Sequence, residues 1–189
     1  MKGISQSTFS LPTKLFSKLN DLISSEWLTK NDAYPAMYDS GQRPQSIIVV
    51  PAINKSTAAD ASEYYNVTIG KQLSETGFYV YPLEIVTDIL RNEGVIDSEM
   101  INELPATAFK QGFGADAVLF VTINAWDTNY LVIAGNVQVD LDFIMYSTTT
   151  NEIIWNYSSV ATINTSGNTG GGIIADIIAT AITTALTKY

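Results

Sequence analysis

The chain is predicted to be an α+β protein, an α/β sandwich: a mixed sheet with a carboxy-terminal antiparallel meander and helices packed mainly on one face. Two observations carry that expectation. The first is a long period-two alternation between Ala115 and Ile163. The odd positions Ala117, Leu119, Val121, Ile123 and Ala125 are apolar, and from Leu131 so are Ile133, Val137, Val139, Leu141, Phe143 and Met145. Between them fall Asn136, Gln138, Asp140 and Asp142, which gives one buried and one wet face. A third run repeats the pattern with Ile153, Trp155, Tyr157 and Ile163. The Asp127-Thr128-Asn129 stretch and the polar cluster from Ser147 to Asn151 join the runs as hairpins. The second observation is the order upstream, where short apolar runs stopped by proline alternate with helical stripes.

Taken in order, residues 1–30 form a separate unit, and residues 31–189 one domain. The first unit reads as an amphipathic helix, with Leu15, Leu19, Leu22 and Ile23 on one face and Lys14, Lys18 and Asp21 off it. It also reads as a degenerate lipoprotein leader, in which Lys14, Lys18, Asn20 and Asp21 interrupt the apolar core and Glu26 stands where a lipid-bearing cysteine would follow Ser25. Asn31 to Pro44 reads as an extended linker. Ser46 to Ala52 is a buried, central strand stopped near Pro51, and Asn54 to Thr57 a polar turn. A helical stripe from Ala58 to Thr76 ends before Gly77. Phe78 to Tyr81 is a second short strand. Pro82 then opens a helix whose apolar face holds Leu83, Ile85, Val86, Ile89 and Leu90, ending at Gly94. Asp97 or Ser98 caps a short helix, and Pro105 opens another that Gly112 and Gly114 end.

Composition excludes more than it selects. With 189 residues, 46 % of them hydrophobic and 15 % charged, the chain has a full core and is not a disordered polymer. Its net charge of −9 disfavours nucleic acid and anionic lipid surfaces. It has neither cysteine nor histidine, so thiolate chemistry, imidazole bases and the commonest metal ligand are all missing. No enzyme, cofactor or metal is expected.

Three segments carry a family resemblance: Pro51-Ala52-Ile53-Asn54-Lys55-Ser56, Gly77-Phe78-Tyr79-Val80-Tyr81-Pro82 and Phe113-Gly114-Ala115-Asp116-Ala117. In this order they resemble a family of bacterial lipoproteins of unknown function, from Asn31 to Tyr189. The resemblance implies a fold related to the curli-secretion lipoprotein CsgG, to the peptidoglycan-synthase activator LpoB and to the amino-terminal domain of TolB. It implies a place on the periplasmic face of the outer membrane, and a non-enzymatic accessory or assembly role through protein–protein contact. The partner would be an envelope protein such as a CsgG-like lipoprotein, or a further copy of the chain. The chain as written is expected to be soluble, with membrane contact only through a lipid anchor for which it has no cysteine. A small-ligand or glycan-binding periplasmic module is the alternative.

Among single residues, Asp140 and Asp142 share the polar face of one strand and read as solvated, and Asp116 reads as structural. Ser166 to Gly172 is a glycine-rich turn without the lysine of a phosphate loop. The Gly172–Lys188 helix, with Ile174, Ile178 and Ile182, is too short to cross a bilayer. Those three isoleucines, with Trp126, Tyr130, Trp155 and Tyr157 around the hairpins, are the candidate interface residues.

Overall fold

In the computed structural model, which describes residues 34–38, 43–127 and 136–164, the sheet grows in both directions from β1 (Ser46–Val49). Ile47 and Val49 enter one core, Ile48 and Val50 the other. A strand covered on both faces needs apolar side chains at every position, so this segment shows a run rather than an alternation. On one side β3 (Tyr79–Val80) pairs parallel with β1, and on the other β4 (Ala117–Asp127) does the same. β5 (Asn136–Ser147) and β6 (Ile153–Asn164) extend the sheet antiparallel as the expected meander. The order is β3-β1-β4-β5-β6, with the two-residue β2 (Ile53–Asn54) beside the far half of β4.

The helices are α1 (Pro35–Tyr38), α2 (Ala61–Glu75), α3 (Leu83–Asn92), α4 (Ser98–Glu103) and α5 (Ala106–Phe113). α3, α4 and α5 share one face, laying Val86, Leu90, Ile101, Ala106 and Phe109 over Ile48, Val50 and Val118. α2 covers the other face through Ala61, Tyr65, Ile69 and Leu73, spaced four apart as a helix seated on a sheet requires. Polar groups set the ends. The Asp97 carboxylate accepts from the Met100 N–H at 2.7 Å and caps α4. The amino terminus of α5 is capped from a distance: Ala106 N donates to the side chain of Asn151, in the β5–β6 turn, at 2.6 Å. Gly114, at φ +75°, ends α5 in the left-handed conformation that favours glycine.

Several expectations need correction. The Asn31–Pro44 linker contains α1, whose Met37 is fully buried and whose neighbour Tyr34 donates its hydroxyl to the Asn156 carbonyl at 2.6 Å. Pro35 pre-sets the first helical φ there. The polar turn after β1 begins one pairing later, because Ile53 and Asn54 first pair with Thr122 and Ile123. Asn54 then closes the turn: its Oδ1 accepts from Ser56 N at 2.9 Å and from Ser56 Oγ, while its Nδ2 donates to Ala58 O. Gly112 lies inside α5 rather than ending it.

The alternation also breaks twice. Pairing shifts from Ile123↔Leu141 to Ala125↔Asp140, so Asn124 is an extra residue. Beyond it Trp126, not Ala125, faces the core. A second shift, from Met145↔Trp155 to Tyr146↔Ile153, leaves Ile154 as the extra residue. Ile154 and Trp155 are both buried and Ile153 is exposed. One inserted residue reverses the parity of the strand that carries it.

Candidate functional site

The parallel strands set up a crevice before any side chain is considered. β1 and β3 are neighbours, and both end at prolines, Pro51 and Pro82, which cannot donate to a continuing ladder. From β1 the chain leads to α2 on one face, and from β3 to α3 on the other. Neighbouring parallel strands whose connections depart to opposite faces leave an opening outside their carboxyl ends, where open α/β sheets bind ligands. Here it is a cleft of about 940 Å³. Asn66, Val67, Gly70 and Ser74 of α2 form one wall, and Glu84, Thr87, Asp88 and Arg91 of α3 form the opposite one. Ile96, Asp97 and Ser98 close it beside the amino terminus of α4, and Val49 and Val80 lie at its base.

Two wall residues stand out. Gly70 sits inside α2, where a β-carbon would meet nothing within 4 Å. Glycine in a helix interior costs about 0.5–1 kcal/mol relative to alanine, and no packing among the described residues requires it here. Asn66 has its Oδ1 buried without a hydrogen-bond partner among the described residues. The charges are unequal: carboxylates at Glu84, Asp88 and Asp97 face one guanidinium in the lining, that of Arg91, which pairs with Asp88 at 3.4 Å.

α3 divides its surface three ways. Val86 and Leu90 enter the core, and Glu84, Thr87, Asp88 and Arg91 line the cleft. Ile85 and Ile89, four residues apart, remain 57 % and 42 % exposed. The sequence pattern groups all the apolar residues of this helix on one face, of which the structure buries Val86 and Leu90. A stripe too wide for its contact leaves its flank in water.

The residues singled out from sequence are scattered. Trp126 and Trp155 are buried, so they are core aromatics rather than exposed anchors. Trp126 stacks on Tyr64 with ring centroids 6.4 Å apart, and Trp155 on the half-buried Tyr157 at 6.3 Å. Tyr130, Ile174, Ile178, Ile182 and the glycine-rich turn lie outside the described residues. Asp142 accepts from Asn124 Nδ2 at 2.6 Å and from Ser158 Oγ, so the first bulge delivers a partner to it. Asp116 ties the starts of β1 and β4 together. Its Oδ2 accepts from Gln45 N, Ser46 N and Ser46 Oγ at 3.0–3.1 Å, and its Oδ1 from Lys110 Nζ at 3.1 Å. Burial pushes this carboxyl up, but the Lys110 ammonium and the Gln45 and Ser46 donors outweigh it, and the net shift is downward. The cleft itself was invisible in the sequence, and Gly70 inside a helical stripe was its one local sign.

Comparison with known proteins agrees with this architecture. A sequence model of the family described as "Putative lipoprotein GNA1162-like" matches residues 33–188. The curated "Putative lipoprotein NMB1124/NMB1162" of Neisseria meningitidis serogroup B is 26 % identical over 117 residues, 62 % of this chain and 54 % of the relative. The match thus spans about half the length of that relative. The crystal structure of lipoprotein GNA1162 from Neisseria meningitidis superposes with a TM-score of 0.64 at 24 % identity, covering 77 % of this chain and 100 % of that one. A PelC dodecamer from Paraburkholderia phytofirmans superposes with a TM-score of 0.54 at 15 % identity, covering 76 % and 85 %. Matched over most of its length, the chain belongs to the GNA1162-like lipoprotein family.

Proposed function

We propose that the chain is a non-enzymatic accessory or assembly component of the bacterial cell envelope, working at the periplasmic face of the outer membrane through protein–protein contact. The observation that carries this reading is the outer flank of α3, where Ile85 and Ile89 stand side by side in water. Two large aliphatic side chains at helical spacing form an anchor that a partner can desolvate, and burying the exposed half of each is worth roughly 1 kcal/mol. Membership in a lipoprotein family supports the envelope location. The related fold of PelC assembles as a dodecamer, which supports a partner drawn from the chain's own copies. A CsgG-like lipoprotein is the other partner.

The test is a photo-crosslinking residue placed at the exposed Asn92, one turn beyond Ile89 on the same helix, in the native envelope, with the product identified by mass. A crosslink to a second copy or to an envelope lipoprotein is expected. Ile85→Lys combined with Ile89→Lys should abolish the product and leave the thermal midpoint within a few degrees, since about half of each side chain already faces water and a lysine stem can lie along the remainder. The double variant crosslinking as the parent does would overturn the reading.

A further inference from the structure

We infer that the cleft between α2 and α3 binds a small organic cation, an alkylammonium with an apolar stem such as a di- or polyamine. Three independent features converge. The cleft lies at the point where the sheet's connections part, and the described residues leave it open. Gly70 keeps one wall clear: its β-carbon position is open space in the middle of a helix that alanine would stabilise. Room at that point lets a ligand approach the α2 backbone closely. The charges then select the ligand. Glu84, Asp88 and Asp97 leave a surplus of negative charge after Arg91 is paired, which repels anions and attracts cations.

The remaining lining narrows the class further. Val67 and Ile96, 76 % and 69 % exposed, offer apolar surface on opposed rims. A bare metal ion has no use for them, whereas the methylene chain of an amine does. Tyr81 is the single aromatic side chain among the described residues of the lining, so the flat stacking platforms that favour sugar rings are scarce.

The experiment is titration of the full chain with spermidine, followed by backbone amide NMR, beside 1,6-hexanediol and magnesium as comparisons. Spermidine is expected to give saturable shifts at Gly70, Thr87 and Asp97, weakening as salt is added. Glu84→Gln should weaken binding by roughly three- to tenfold, and Arg91→Gln should tighten it by a similar factor, because each changes the local charge by one unit in opposite directions. Gly70→Leu should abolish the shifts while raising the thermal midpoint, which separates a filled cleft from an unfolded chain. Equal shifts from magnesium would overturn the proposal in favour of a diffuse acidic surface. Equal shifts from hexanediol, or no saturable response to spermidine, would overturn it as well. Tighter binding of a lysine-containing peptide than of spermidine would overturn the free-ligand form and make the cleft a docking site for a basic segment.

Discussion

Trp155→Ala is expected to lower the free energy of unfolding by about 3–5 kcal/mol, the range for deleting a large aromatic from a packed core. The indole is 1 % exposed and lies among Tyr34, Phe143 and Tyr157, with ring centroids 6.2–6.3 Å away. Its removal therefore opens a void shared by the β5–β6 pair and by the Tyr34 segment ahead of α1. Trp155→Phe should cost far less, because an aromatic still fills most of the space. The indole Nε1, buried without a partner among the described residues, gives up no hydrogen bond when it is removed. Urea unfolding of the two variants is the check. An alanine variant with an unchanged midpoint would show that the packing around the indole contributes little to stability.

Asp116→Ala should destabilise the fold by about 0.5–1.5 kcal/mol, the net worth of hydrogen bonds whose exposed and half-buried donors can turn in part to water. The donors in question are the amides of Gln45 and Ser46 and the Ser46 hydroxyl, at the point where β1 enters the sheet. The ion pair with Lys110 adds little, since both side chains are more than a third exposed and solvent screens them. The carboxyl is held below its ordinary value in the folded chain. Its extra stabilisation is therefore fully present above the unfolded value of about 4, and is lost as pH falls through the lower folded value. The gap between parent and Asp116→Ala should thus be widest near neutrality and should narrow in acid below about pH 4. Urea midpoints at pH 7 and pH 3 measure it. A gap constant across that range would show that the negative charge plays no part in the clasp.

The parts of the fold legible in the sequence are those written by neighbours along the chain. The SIIVV run marked a strand covered on both faces, Asp97 or Ser98 marked a cap that the structure gives to Asp97, and Gly77, Gly94 and Gly114 all take the positive φ at which their helices stop. The Asp116 clasp was legible as structural, though not in its partners, because Gln45 and Ser46 are some 70 residues away. The meander was legible as three strands, but its faces were not. An extra residue at Asn124 or Ile154 leaves the composition untouched and turns the neighbouring side chains to the opposite face. That is why Ala125 and Ile153 fall off the core face and Trp126 onto it.

The candidate site was less legible for a related reason. An apolar stripe on a helix states how much surface could be buried, whereas the neighbouring elements decide how much is. On α3 they bury Val86 and Leu90 and leave Ile85 and Ile89 in water.

By itself, the sequence determined the α+β class, the order of the main strands and helices, the two-sided burial of β1, the family, and a composition without cysteine or histidine. These rest on composition, local motifs and periodicity, which need no knowledge of distant contacts. Only the tertiary structure decided that β1 and β3 end side by side with their connections on opposite faces, that α2 and α3 therefore stand apart, and that Gly70, Asn66, Glu84 and Arg91 look across the same cleft. The physical reason is that a cleft is made by what does not touch, and no residue records on its own which neighbours it will lack.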